Sequence, residues 1–338
     1  MARIDTIRTR ARLKELASKY AIVLVLAGLV IGIGIFESSF LRLDNLSNIL
    51  RISSVRIIIA LGVGGILITR GTDLSAGRTV GLCACIAASL MQRPDYASKM
   101  FPDLPYLPLI VPILAALAAG LLVGLLNGMV VAYLKVPPFI TTLGTMVIVY
   151  GACSLYVDRP PRGAMPIGGL RDDFASLGTG SWGGVPTLIV IAAVVLFLYW
   201  VILNWTRFGK NIYAIGGNPE AANVAGVDVK RNLILVYVLG GVLYGLAGVL
   251  LAARSGGATN NYGLMYELDA IAAAVIGGVS TAGGVGTVSG MLTGVLIFQV
   301  LDNGLVILGV SPYWQQIVKG TIIVAAVAID IRKYVTRK

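Results

Sequence analysis

Apolar runs long enough to cross a bilayer, separated by short polar links, recur along this whole chain and leave few folds open to it. A segment of about 20 apolar residues spans the ~30 Å hydrocarbon layer as a helix, because only internal hydrogen bonds can satisfy its backbone there. Composition agrees: of 338 residues 57% are hydrophobic before the 42 glycines are counted, and only 13% are charged. A soluble domain carries nearly twice that charge fraction. The chain therefore reads as all-α and polytopic, a single transmembrane domain over 1–338.

About ten such runs are present, near 20–40, 52–69, 76–91, 107–133, 139–157, 186–203, 232–252, 267–282, 287–307 and 314–330. Eight or twelve spans also fit, because the second, third and eighth runs are individually weak. The charged head before Tyr20 (Arg3, Arg8, Arg10, Arg12, Lys14 and Lys19) resembles a signal peptide. No small-x-small cleavage site follows Phe36, so an uncleaved first helix is expected. Alternate threading puts that head, Lys135, Arg207, Lys210, Lys230, Arg231 and the basic C-terminus on one side. Fewer basic residues (Arg42, Arg51, Arg93, Lys99, Arg159, Arg162, Arg171 and Arg254) fall on the other, while Arg70 and Arg78 adjoin a short turn on the first side. The positive-inside rule then places both termini in the cytoplasm. The formal charge of +11 flanks spans rather than forming a nucleic-acid face, so no nucleic acid is expected. Cys83, Cys85 and Cys153 lie in apolar stretches and histidine is absent, which argues against disulfides and metal sites.

Weak internal similarities recur in one order. Asp73-Leu74-Ser75-Ala76 resembles Glu267-Leu268-Asp269-Ala270, and Gly120-x-x-x-Gly124 resembles Gly290-x-x-x-Gly294. Leu134-Lys135-Val136-Pro137-Pro138-Phe139 resembles Leu308-Gly309-Val310-Ser311-Pro312-Tyr313. Spans two to five (52–157) thus correspond to spans seven to ten (232–330). A shift of five spans is odd, so the units have opposite orientations, an inverted repeat typical of transporters. The third and eighth spans are partners, short and glycine-bearing (Gly77, Gly81; Gly277, Gly278), which marks them as a pathway; the alternative is that the glycines serve helix packing. Asp73, Glu267 and Asp269 at these spans are expected as ligands, or as caps and hinges. Arg56, Asp302 and Lys319 are expected near interfaces, where they snorkel or cap a helix. Asn127, Thr141, Thr142 and Thr145 can bond a hydroxylated cargo or neighbouring helices.

The longest polar interruption of the second half, 206–231, contains a short helix. Asn218 suits the N-cap and Pro219 the first helical position, Glu220 complements the helix dipole, and Gly226 supplies a left-handed stop. About seven residues, roughly 10 Å, present Ala221, Ala222 and Ala225 on one face. Such a helix is marginal alone and should dock on its own protein or on a partner. Gly284 to Gly290 only faintly resembles a dinucleotide turn, and no Gly-x-x-x-x-Gly-Lys-Ser/Thr occurs, so the chain carries no P-loop. No nucleophile constellation for an intramembrane enzyme is visible.

From about Asn45 onward the chain resembles the permease subunits of bacterial ABC sugar importers of the ribose/xylose/galactose group. The resemblance is carried by Ser54 to Val63, by Gly71-Thr72-Asp73-Leu74-Ser75-Ala76-Gly77-Arg78, by Pro138 to Met146, by the 206–227 loop, and by Ala258 to Asn261 through Met265 to Ala273. Ser255-Gly256-Gly257-Ala258-Thr259-Asn260-Asn261 followed by Met265-Tyr266-Glu267 is most similar to the galactose/methyl-galactoside branch; ribose and xylose remain alternatives. The tracts before Leu41 and from Asp158 to Gly184 depart from it. The resemblance implies a bacterial inner-membrane homodimer, a cytoplasmic ATPase subunit with tandem nucleotide-binding domains that holds ATP and Mg, and a periplasmic sugar-binding protein. It implies no cofactor, metal or catalysis in this chain. Gly216, Gly217, Asn218, Pro219, Glu220, Ala221 and Ala222 would form the coupling helix that fits the ATPase. Asn260, Asn261 and Tyr262 would meet the binding protein, or be plain turn. A secondary ion-coupled transporter is the alternative from another class.

Overall fold

The computed structural model describes residues 22–159 and 163–335. The charged head before Tyr20, Arg162, Arg337 and Lys338 lie outside the described residues. Among the described residues each apolar run holds one α-helix, three further short α-helices lie in the links, and a 3-10 turn at Ser38–Leu41 precedes the second α-helix. In chain order the helices are α1 (Ile22–Phe36), α2 (Leu43–Ile68), α3 (Ala76–Leu90), α4 (Ile110–Tyr133), α5 (Pro138–Val157), α6 (Asp172–Thr179) and α7 (Thr187–Trp205). There follow α8 (Arg207–Gly217), α9 (Pro219–Val224), α10 (Val229–Ser255), α11 (Tyr266–Ile276), α12 (Val288–Ile307) and α13 (Pro312–Val335). A two-stranded hairpin, β1 (Ser181–Trp182) with β2 (Val185–Pro186), turns on Gly183 and Gly184, both at positive φ.

Among the described residues seven helices are long and apolar enough to cross a membrane: α2, α4, α5, α7, α10, α12 and α13. Burial sorts them. Of the apolar windows, 78% of α2 and 61% of α10 are buried, against 28% of α5 and α7. α12, also 61% buried, joins them in the core around the α2–α10 pair, and the less buried helices turn apolar surface outward. The pair is antiparallel: Gly62 of α2 faces Tyr244 and Gly240, while Gly65 faces Val236. Small residues let backbones close in, as in the antiparallel α4–α10 contact, where Gly120, Gly124 and Gly128 meet Gly241, Tyr237 and Ile234 in turn.

Packing is reciprocal between the stretches α2–α5 and α10–α13. α3 and α4 pack on α10, while α11 and α12 pack on α2. α3 touches α4 and α5 as α11 touches α12 and α13. α5 and α13 both open on a proline, Pro138 and Pro312, whose missing N–H costs nothing there. One expected match differs: Gly120 and Gly124 pack on α10, but Gly290 and Gly294 pack on Gly277 and Ala273 of α11. Those glycines are close-packing residues without equivalent partners.

The eighth run also departs from expectation. α11 ends at Ile276, with Gly277 as its cap and Gly278 at φ 87. Val279 N–H closes on Ala274 O and Gly278 N–H on Val275 O, a left-handed glycine stop. Gly277 and Gly278 thus end the helix instead of lying inside a span to 282. Neither α3, with 15 residues, nor α11, with 11, covers the hydrocarbon thickness alone.

Candidate functional site

The missing length of α3 and α11 is supplied by non-helical chain, and the two lead-ins start from opposite ends. The first, 69–75, leaves the end of α2 at Arg70, whose guanidinium Nε donates to Gly216 O at 2.6 Å and whose terminal nitrogen donates to Gly217 O. It then enters the interior. Gly71 lies beside the Tyr237 hydroxyl and Asp73 beside Tyr244, about 22 Å along the ~40 Å of α10. The second, 256–265, is pinned at the opposite end, where Ala258 and Ile167 exchange backbone bonds of 2.8 and 2.9 Å. It too turns inward, so that Tyr262 O lies against Gly81 and Gly263 O against Gly77. The first turns of α3 and α11 consequently meet: a Cβ on Gly77 would overlap Gly263 O and the Glu267 carboxyl. Irregular backbone at this depth is tolerated only inside protein or along a cavity.

The α3 entrance is a closed polar chain. Asp73 Oδ1 accepts from Ser75 N–H (2.9 Å) and Ser75 Oγ (2.6 Å). Ser75 Oγ accepts from Asn127 Nδ2 (2.9 Å), and Asn127 Oδ1 from Thr145 Oγ1 (2.6 Å). Thr142 Oγ1 receives Leu74 N–H and donates to Pro138 O. Asn127, Thr142 and Thr145 therefore bind neighbouring segments, and Asp73 holds Ser75, the residue just before α3; Thr141 Oγ1 is buried without a partner. At the α11 entrance Glu267 is 6% exposed and its Oε2 has no hydrogen-bond partner.

Four charges expected at interfaces or caps form one network instead. Arg56 of α2 lies 2.9 Å from Asp302 of α12 and 3.7 Å from Asp269 of α11. Lys319 of α13 lies 2.8 Å from Asp302 and 3.9 Å from Asp269. Two cations and two anions cancel, which is how a low-dielectric interior holds charge at all.

A second assembly occupies the end where α2 stops and α10 starts. α9 is built as its residues require: Asn218 Oδ1 accepts from Glu220 and Ala221 N–H, both at 3.0 Å, Pro219 is first, and Gly226 has φ 85. Ala222 is buried beneath it, whereas Ala221, Ala225 and Glu220 face outward and Val224 is 88% exposed. The expected alanine face is thus split between the protein and the outside. A groove of about 440 Å³ beside α9 is lined by Lys135, Glu220, Asp228 and Lys230 among others. Where a polar loop was expected, Arg207–Gly217 forms α8, capped by Thr206 and burying Gly209, Ile212, Ile215 and Gly216. It ties three segments together: Arg70 and Ile68 at the end of α2, Gly284 and Gly286 before α12, and Asn232 in α10. Gly216 sits so close to Ile68 O that no side chain fits.

Of the three loop residues expected to face a partner, Asn261 is exposed. Asn260 bonds Ser154 Oγ (3.2 Å) and Tyr262 packs inward. Tyr150 and the four-charge network escaped sequence reasoning; Arg70 does adjoin the α8 end, but Arg78, expected beside the same turn, reaches Asn260 of the opposite lead-in. The signal for α8 was there in Thr206 followed by Gly209, Ile212 and Ile215 at helical spacing. Among the described residues no group of three His, Cys, Asp or Glu is placed to hold a metal.

Residues 45–327 match the family described as branched-chain amino acid transport system / permease component. The galactose/methyl galactoside import permease proteins of Escherichia coli and Haemophilus influenzae are 54% and 52% identical over 94% of this chain and 95% of theirs. The ribose import permease protein of Bacillus subtilis is 40% identical over 90% of each chain. No solved structure matches.

Proposed function

The chain belongs to the family of permease components of branched-chain amino acid transport systems, and we propose that its own cargo is a hexose, galactose or a methyl galactoside. It is a transport subunit and a multi-pass membrane protein. The identity step from ribose to galactose relatives supports the sugar: 40% against 52–54% over nearly the full length. The observation that carries the mechanism is the meeting of α3 and α11 at mid-thickness, since half-helices that face one another from two inverted units are how transporters build a central site.

In this reading 52–157 and 232–330 are the two repeats, supported by their reciprocal packing and by the antiparallel α2–α10 axis. The α8–α9 end faces the cytoplasm with both termini, in the bacterial inner membrane. A second copy of the chain completes the pathway, a tandem-domain ATPase that binds ATP and Mg seats on α9 and its groove, and a periplasmic binding protein delivers sugar at the end carrying Asn261. Asp73, Gly77, Glu267 and Asp269 border the gate, and Gly277 and Gly278 let α11 end at the cytoplasmic side. Force on α9 passes to α8 and from there to α2 through Arg70. That residue holds φ 65, a costly backbone for a non-glycine, and places two donors on the last carbonyls of α8.

Glu220→Cys tests the docking. It should crosslink to the co-expressed ATPase subunit in a functional complex; silence there and at neighbouring positions would remove the coupling role from α9. Half-helices meeting across an inverted repeat also suit an ion-coupled transporter, a second reading separated by the energy source.

A further inference from the structure

A guanidinium stands where hydrocarbon would make it costly, and it stands against an exposed ring. Arg78 lies in the first turn of α3, and Val80 to Ala84 of that helix pack on Gly248 of α10. Since Gly248 is about 10 Å inside the nearer end of α10, Arg78 lies deeper still. Its guanidinium is 4.3 Å from the centroid of the Tyr150 ring on α5 and 3.4 Å from Asn260 O. Asn260 reaches back to Ser154 Oγ, one turn beyond Tyr150. Tyr150 nevertheless keeps 38% of its surface exposed and Arg78 is only half-buried. Lipid is a poor neighbour for such a patch: a guanidinium at depth faces water, protein or an anion, and tyrosines that meet lipid sit at the interface.

We propose that Arg78 and Tyr150 form a pyranose-binding station within the pathway, an inference that rests on the sugar-transport reading above. The electron-rich face of the tyrosine ring attracts the C–H face of a sugar, whose axial hydrogens carry partial positive charge. Arg78 has five N–H donors and spends one on Asn260 O, which leaves donors for ring hydroxyls. Asn260 O keeps a second lone pair for a hydroxyl proton. The guanidinium braces one side of the ring, so the ring is held for a ligand on its open side. Such a station is weak by construction, as a transit site must release what it receives.

The test uses the full complex of this chain, its ATPase and its binding protein. Tyr150→Cys should react with a charged, water-soluble methanethiosulfonate about tenfold faster than Ile148→Cys, because thiolate chemistry needs water and Ile148, 70% exposed on another face of α5, lies off the proposed station. Galactose in excess should slow that reaction. Per complex recovered, Tyr150→Leu should lower galactose uptake about tenfold and change the ratio of galactose to methyl galactoside uptake, with Tyr150→Phe restoring both. Labelling at 150 no faster than at 148, or loss of both sugars in equal proportion, would overturn the station and leave the pair as packing. A wild-type complex that takes up no hexose would sink the parent reading, whereas hexose uptake indifferent to Tyr150→Leu would sink the station alone.

Discussion

The first turns of α3 and α11 meet inside the protein, partway along α10, yet they are held by different chemistry. α3 is fixed by short neutral and charge-assisted hydrogen bonds running from Asp73 through Ser75 and Asn127 to Thr145, all within its own unit. α11 is held through Asp269 by two ion pairs of 3.7 and 3.9 Å that reach α2 and α13. Hydrogen bonds weaken steeply with distance and angle, whereas the attraction between charges falls only as the inverse of separation. A helix held by ion pairs can shift and stay bound. Under the gating proposed above, the contrast predicts that α3 is the fixed wall and α11 the element that moves, with the unpartnered Glu267 Oε2 able to gain a partner as it does so.

The largest expected effect comes from forcing the two entrances apart. Gly77→Leu places a side chain where Gly263 O and Glu267 now sit; overpacking of about 1–3 kcal/mol, confined to one conformation, lowers hexose uptake about ten- to hundredfold. Assembly with the ATPase should persist, and equal loss of assembly would reduce the contact to packing. Next is the charge network. Asp302→Asn leaves Arg56 and Lys319 with only the longer pairs to Asp269. Because the four side chains are 11–22% exposed, the cost should be about 1–3 kcal/mol, below that of a fully buried pair, measured as detergent-solution thermal stability. Asp73→Ala should cost about 1–2 kcal/mol through the two bonds to Ser75. Glu267→Gln should change stability by less than about 0.5 kcal/mol, since the replaced oxygen has no partner, while altering the uptake rate. If Glu267→Gln destabilises as much as Asp73→Ala, the contrast between the entrances fails.

How much of this was legible in the sequence depends on how local the cause is. Asn218, Pro219 and Gly226 act on their own few residues, so α9 appears where it was expected. The short third and eighth spans were legible as deficits of apolar length. The lead-ins that make good the deficit were not, because Asp73 and Gly263 enter the interior only through contacts with Tyr244 and Gly77. α8 hid because Gly209 and Gly216, which count little as apolar residues, make up half of its buried stripe. Arg56, Asp269, Asp302 and Lys319 lie far apart along the chain, and each looked like a border residue until the helices brought them together. Gly120 and Gly290 show the reverse error, a sequence match without an equivalent contact.

Uptake of labelled galactose into proteoliposomes decides the central claim. With this chain, the ATPase and the loaded binding protein present, uptake should require ATP on the α9 side and be indifferent to an uncoupler. Uptake that survives removal of the ATPase and collapses with the uncoupler would contradict the account and establish an ion-coupled transporter in its place.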